Sequence, residues 1–320
     1  MSAKTQRQVL IGLQSVAGTG VNVDVALRAA ASLKAMPDKV VVEENIGSFA
    51  PTRHYIGSLS AEGEIEYDGY YEHVPYIVSM AMGAGAVVPG ATPLPDVWTF
   101  ALANATAPTF ALYTMEYSDG ANHIVRAVDV IATALEISGE AGGSWMFKPT
   151  IVGGQVTFPA AVSASPSVPA TATQILMSDT SIFMDALYAD IGDTAMNQLI
   201  SFTWKLEEYF HNKLFAGSLW PTGRGVDRWK VSLELIVEVE NAVIEAIKDT
   251  LMGVTQTAIR IKADAGVSEI AIDGNYMLNE VDTLDERDGN NIIKLSFLGE
   301  RDSSGNTGSI VASVPELAAL

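Results

Sequence analysis

The chain has 320 residues, 48% apolar and 18% charged, and its 38 acidic against 19 basic side chains give a formal net charge of -19. So apolar a chain is not disordered, and its singly scattered lysines and arginines exclude a surface built to grip nucleic-acid phosphates. The absence of cysteine excludes disulfides, thiolate nucleophiles and cysteine-ligated zinc or iron–sulfur centres. Two readings of the acidic excess stay open: plain solubility, or a wall past which nucleic acid slides without sticking.

The lack of cysteine fits a bacterial cytosol better than a small secreted scaffold. In chain order, the first sixteen residues, MSAKTQRQVLIGLQSV, hold an apolar stretch read as too short for a signal peptide. A loose segment leads to an apolar, β-branched strand, KVVVEENI (39–46), and then to GSL (57–59). LSAEGEIEYD (59–68) alternates apolar and acidic residues, the mark of a strand with one buried face. Residues 74–95 carry no charge and are long enough to raise a membrane span, but glycines and prolines break them and no basic flank follows. They read instead as a short helix with Pro75 in its first turn and Met82-Gly83 as its stop. Further strands are predicted through FALYTMEYSDGANHIVRAVDVIATALEIS (110–138) and GSWMFKPTIVGG (143–154).

The second half repeats this plan. Residues 26–59 laid without a gap on 186–219 give eight identities in 34 columns, where chance gives about two or three. An insert of about ten residues around WPTGRGVDRW (220–229) then moves the offset to 170, where Glu64 meets Glu234, Tyr67 meets Val237 and Met82-Gly83 meets Met252-Gly253. A third block sets Phe147-Lys148 against Ile293-Lys294 and Gly153 against Gly299. The expected architecture is mainly β (α+β): two tandem β-sandwich or partly open barrel domains, each with one short α-helix. Their expected bounds are 1–157 and 174–320, joined by the Pro/Ala/Ser-rich linker 158–173.

Chemical candidates are few. In 63–83, Glu64, Glu66, Asp68, Glu72 and His73 crowd among tyrosines as a metal or acid–base site would. The twin stretch has Val243 for His73, Ile236 for Glu66 and Ala242 for Glu72, so the repeat does not carry that constellation. It reads as a solvated strand edge and a helix N-terminus that favours an acid. The four histidines form no paired motif, the glycine-rich turns match no phosphate loop, and GSLS and GSLW lack the nucleophile elbow. No enzyme, metal or cofactor is expected.

The stretches TRHYIGSLSAEGEIEYDGYYEHVPYIVSMAMGAG (52–85), ATPLPDVWTFAL (91–102), PTFALYTMEYSDG (108–120) and SWMFKPTIVGG resemble the major tail tube proteins of long-tailed bacteriophages. The resemblance spans most of the first copy and, more weakly, the second. It implies a structural virion protein, made in the host cytoplasm, whose β-sandwiches join edge to edge into rings that stack as a hollow tube for genome ejection. Its implied partners are copies of itself, a homotrimer with pseudo-sixfold symmetry because single-domain relatives form rings of six. They also include a tape measure protein in the lumen and tail-end proteins, while DNA passes without specific binding. Within this reading the inter-ring contacts are expected from the loops before the Gly-Ser turns, through Phe49, Arg53, His54 and Tyr55 in one copy and Tyr209, Phe210, Lys213 and Phe215 in the other. Alternatives are the inner tube of a contractile tail or bacterial injection apparatus and, from another class, a carbohydrate-binding or adhesive β-sandwich.

Overall fold

The computed structural model describes residues 7–42, 53–90, 94–102, 106–118, 123–164, 172–207, 209–239, 256–282, 285–287, 290–303, 305 and 307–315. Of these, 62% lie in strands and 7% in helices, so the class is mainly β, as expected. The first half contributes β1 (Gln8–Leu13), β2 (Val25–Leu27), β3 (Ala30–Val42), β4 (Arg53–Asp68), α1 (Val74–Met82), β5 (Ala86–Val88), β6 (Asp96–Ala101), β7 (Tyr113–Ser118), β8 (Ile124–Glu140), β9 (Met146–Gly153) and β10 (Val156–Thr157). The second contributes β11 (Thr180–Asp185), β12 (Ala195–Met196), β13 (Leu199–Glu207), β14 (Phe210–Lys213), β15 (Gly223–Val226), β16 (Lys230–Glu238), β17 (Gln256–Asp264), β18 (Glu269–Val281), β19 (Asp285–Arg287), β20 (Asn290–Glu300) and β21 (Gly308–Val314). The expected helix of the second half, with Met252-Gly253, lies outside the described residues, as does the middle of the linker.

The alternation read in β4 is real: Ala61, Ile65 and Tyr67 are buried while Glu62, Glu64, Glu66 and Asp68 face out. In β16, Val231, Leu233, Leu235 and Val237 repeat it. Helix α1 is apolar all round because all nine of its residues are buried; it packs on β8, β6 and β21. Gly83 ends it at φ 94°, donating its N–H to the Ser79 carbonyl at 2.9 Å, where a Cβ would come within 2.7 Å of the Thr109 carbonyl. No helix among the described residues is long and apolar enough to cross a membrane.

Strand pairing repeats between the halves down to single residues. Tyr67 faces Phe147 and Glu64 faces Thr150 across β4–β9; Val237 faces Ile293 and Glu234 faces Ser296 across β16–β20. These are the offsets of 170 and 146 that the second and third sequence blocks give. A β-bulge between Ala132 and Ala134 of β8, opposite Ile151 and Thr150, has its twin between Leu278 and Glu280 of β18, opposite Phe297 and Ser296.

The first sequence block does not survive. Ser32 pairs with Glu64 in β3–β4 and Thr203 with Glu234 in β13–β16, so β3 corresponds to β13 at an offset of 171, not 160. Met36 opposite Ser60 then matches Glu207 opposite Lys230, and the stretches between them, 37–59 and 208–229, are almost equal in length. WPTGRGVDRW is therefore no insert. The identities at offset 160 therefore do not mark equivalent positions in β3 and β13.

The halves also exchange strands. β8 of the first half pairs with β13 of the second, and β6 pairs with β21, so strand pairing crosses the expected linker boundary. One sheet runs in the order β3-β4-β9-β8-β13-β16-β20-β18, with the buried cores of both halves on one side of it.

Candidate assembly interface

The β8–β13 junction is antiparallel, from Leu135 opposite Leu206 to Glu140 opposite Ser201. On its inner side the Trp145 ring meets Phe202 edge-on at 4.8 Å, and the Trp145 indole donates to Thr180 Oγ1 at 2.9 Å. Gly139 faces Phe202 where a Cβ would lie 2.6 Å from the Met177 sulfur, so only glycine lets both side chains close the seam. On the outer side Lys205 Nζ meets Glu136 at 3.1 Å, and that carboxylate raises the lysine above its ordinary value.

The outer face of the eight-strand sheet carries charge at alternate positions. Lys148 pairs with Glu66 at 3.2 Å and Lys294 with Glu234 at 3.0 Å, each across neighbouring strands. Glu62, Glu64 and Asp68 share this face, so carboxylates outnumber ammonium groups there. Across the junction Glu64, Glu66, Glu136, Lys148, Thr150 and Lys205 line a hollow of about 360 Å³ on this face. The acids of 64–68 are thus exposed, as expected.

At both ends of this sheet an edge is unpaired among the described residues. β3 pairs with β4 alone among the described residues, and β18 beyond Leu278 pairs there with β20 alone. Neither sequence alternation nor propensity marks an edge, so sequence reasoning missed both.

The eight expected contact residues are not equivalent loops. Arg53, His54 and Tyr55 lie on β4, paired with Val42, Val41 and Val40 in a ribbon that extends past the body of the sheet. Their side chains are exposed, as are Val41 and Ile56. Phe49 lies outside the described residues. Tyr209 and Phe210 correct the expectation, being 1% exposed each. They stack at 4.6 Å, and Phe210 meets Phe110 at 4.9 Å. Their hairpin, β14–β15, folds back onto the first half, with Asn212 donating to the Gly153 carbonyl at 3.1 Å and Arg224 to the Asp129 carbonyl at 2.8 Å. Lys213 and Phe215 stay exposed near its tip.

His73 is buried, 1% exposed. Its ring lies 6.1 Å from that of Tyr67 and 5.7 Å from that of Tyr70, and both ring nitrogens lack a hydrogen-bond partner among the described residues. Burial, with Arg28 adding to it, lowers its pKa to about 4. The fold holds it neutral, whereas the unfolded chain takes up a proton near the ordinary value of 6.5. Stability from this group is therefore whole above pH 6.5 and drains away as pH falls toward 4. We expect urea unfolding at pH 5.0 to show about 2 kcal/mol less stability than at pH 7.5 from this source. His73→Leu should remove that much of the pH dependence; an unchanged dependence would place the proton elsewhere. Glu72 accepts the Thr173 N–H at 3.0 and 3.1 Å, which ties the linker's end to this corner.

Among the described residues no three His, Asp or Glu side chains gather as a metal site. The sequence matches no protein-family model and no curated protein.

Proposed function

We propose that the chain is a structural protein that assembles edge to edge into rings stacked as a hollow tube, of the kind long-tailed bacteriophages use to pass DNA to a host. The observation that carries this reading is the β8–β13 junction. It joins two like units through one sheet, and the operation that takes the first unit to the second, applied again, sets a further chain against the open end of β18. Repeated operations of this kind close into rings or continue as helices. The tail tube proteins that the sequence resembles close at six units, which three duplicated chains supply.

The net-acidic outer face, with its hollow at the junction, supports the same reading. Facing a lumen, it repels phosphates and leaves DNA free to move. Negative-stain microscopy and light scattering on the purified chain test the proposal. Rings of three chains with an open centre, and tubes at higher concentration, are expected. Single chains that persist at high concentration and bind glycans would sink it.

A further inference from the structure

We infer that chains join through β3 of one copy and the end of β18 of the next, in the register that sets Lys34 opposite Asp282. This rests on the ring reading above and names the residues that make its contact. The internal junction is the template, and the shared registers transfer it residue by residue. Lys205 faces Ser232 in β16, and Lys34 faces Glu62, 170 positions earlier, in β4; Lys34 is therefore the counterpart of Lys205. On the other side, Leu135 faces Pro149 and Val281 faces Leu295, just past the duplicated bulge. Glu136 faces Lys148, while Asp282 donates its N–H to the Lys294 carbonyl at 3.0 Å. Asp282 is thus the counterpart of Glu136, and Val281 that of Leu135.

Transferring the internal pairs gives Lys34 against Asp282 where Lys205 meets Glu136, and Ala35 against Val281 where Leu206 meets Leu135. Lysine and carboxylate recur on the correct sides of the transferred pair. Lys34 and Asp282 are exposed, and both strand edges offer backbone donors and acceptors for a second copy. The contact pair is smaller than its internal template, Ala and Val in place of two leucines.

A charge exchange tests this. In K34E or D282K alone, like charges meet at each junction, and the concentration for half-assembly into rings is expected to rise about tenfold. The double variant K34E/D282K restores the opposition and is expected to assemble like the wild type. Because the chain has no cysteine, A35C/V281C adds a second readout. Mild oxidation should link different chains into covalent oligomers ending at three, whereas L33C/V281C, two residues out of register, should link poorly. Circular dichroism shows whether each variant is folded. Rings in the wild type that neither single exchange weakens, or equal cross-linking of the shifted pair, overturn this register and leave the ring reading standing. A wild-type chain that never forms rings overturns both.

Discussion

Replacing Asp129 by alanine is expected to destabilise the fold by about 3–5 kcal/mol, the range for breaking a buried ion pair by removing one partner. Asp129 Oδ1 accepts the Gly18 N–H at 2.7 Å, and Oδ2 stands 3.6 Å from Arg224. The Arg224 side chain is only 7% exposed, and its burial already lowers its affinity for a proton against the pull of Asp129. Without the carboxylate, the guanidinium keeps, among the described residues, the carbonyls of residues 129 and 223. The backbone adds to the loss, since Asp129 has φ 58°, a conformation alanine adopts less readily than aspartate or asparagine. Asp129→Asn keeps the shape and the backbone preference and should cost less. Urea unfolding of the three proteins measures both effects. A loss below about 1 kcal/mol in the alanine variant would mean that water reaches Arg224 and solvates it.

Shortening the β3–β4 ribbon is expected to abolish tubes while leaving a folded chain. Deleting residues 37–59 and joining Met36 to Ser60 through Asn-Gly keeps the Met36–Ser60 register and supplies a turn suited to a two-residue hairpin. The removed segment includes Val41, Tyr55 and Ile56, apolar side chains exposed among the described residues. Microscopy should then show rings without long tubes, and the melting temperature should stay near that of the wild type. Tubes of normal length would remove Arg53, His54 and Tyr55 from the contact between rings. Deleting the β14–β15 hairpin has a different outcome. It takes Phe210 from the core and Arg224 from Asp129, so loss of folding is expected there.

These two hairpins show where the sequence could be read and where it could not. β4 and β16 were legible because a sheet with one buried face writes a period of two, and glutamates alternating with Ile, Leu and Tyr left no other choice. The Phe147-Lys148 and Ile293-Lys294 match was legible for the same reason. β3 was misaligned because Ala-Ala-Ser-Leu-Lys-Ala-Met carries little alternation, and chance identities at offset 160 outweighed it. The fates of 37–59 and 208–229 depend on distant residues: Phe110 and Asp129 draw one hairpin inward, and nothing in its local sequence announces them. The strand edges were unreadable for a similar reason, since a pairing partner is a property of topology. The burial of His73 is not legible from the acids around it in sequence, because the alternation of β4 turns Glu64, Glu66 and Asp68 outward while the 3₁₀ turn that follows buries the histidine.

The pairing of β6 with β21 has a consequence for synthesis. Asp96–Ala101 forms its second ladder with Gly308–Val314, a strand that leaves the ribosome some two hundred residues later. At about 5–20 residues per second, that edge waits roughly 10–40 s for its partner. The edge of β8 waits for β13 over a much shorter stretch of chain. During the longer interval Trp98 and Phe100 sit on an uncovered strand, which is when a nascent chain is most exposed to pairing with the wrong copy. The β6–β21 pairing also makes folding slow, because its contacts are among the most distant in sequence.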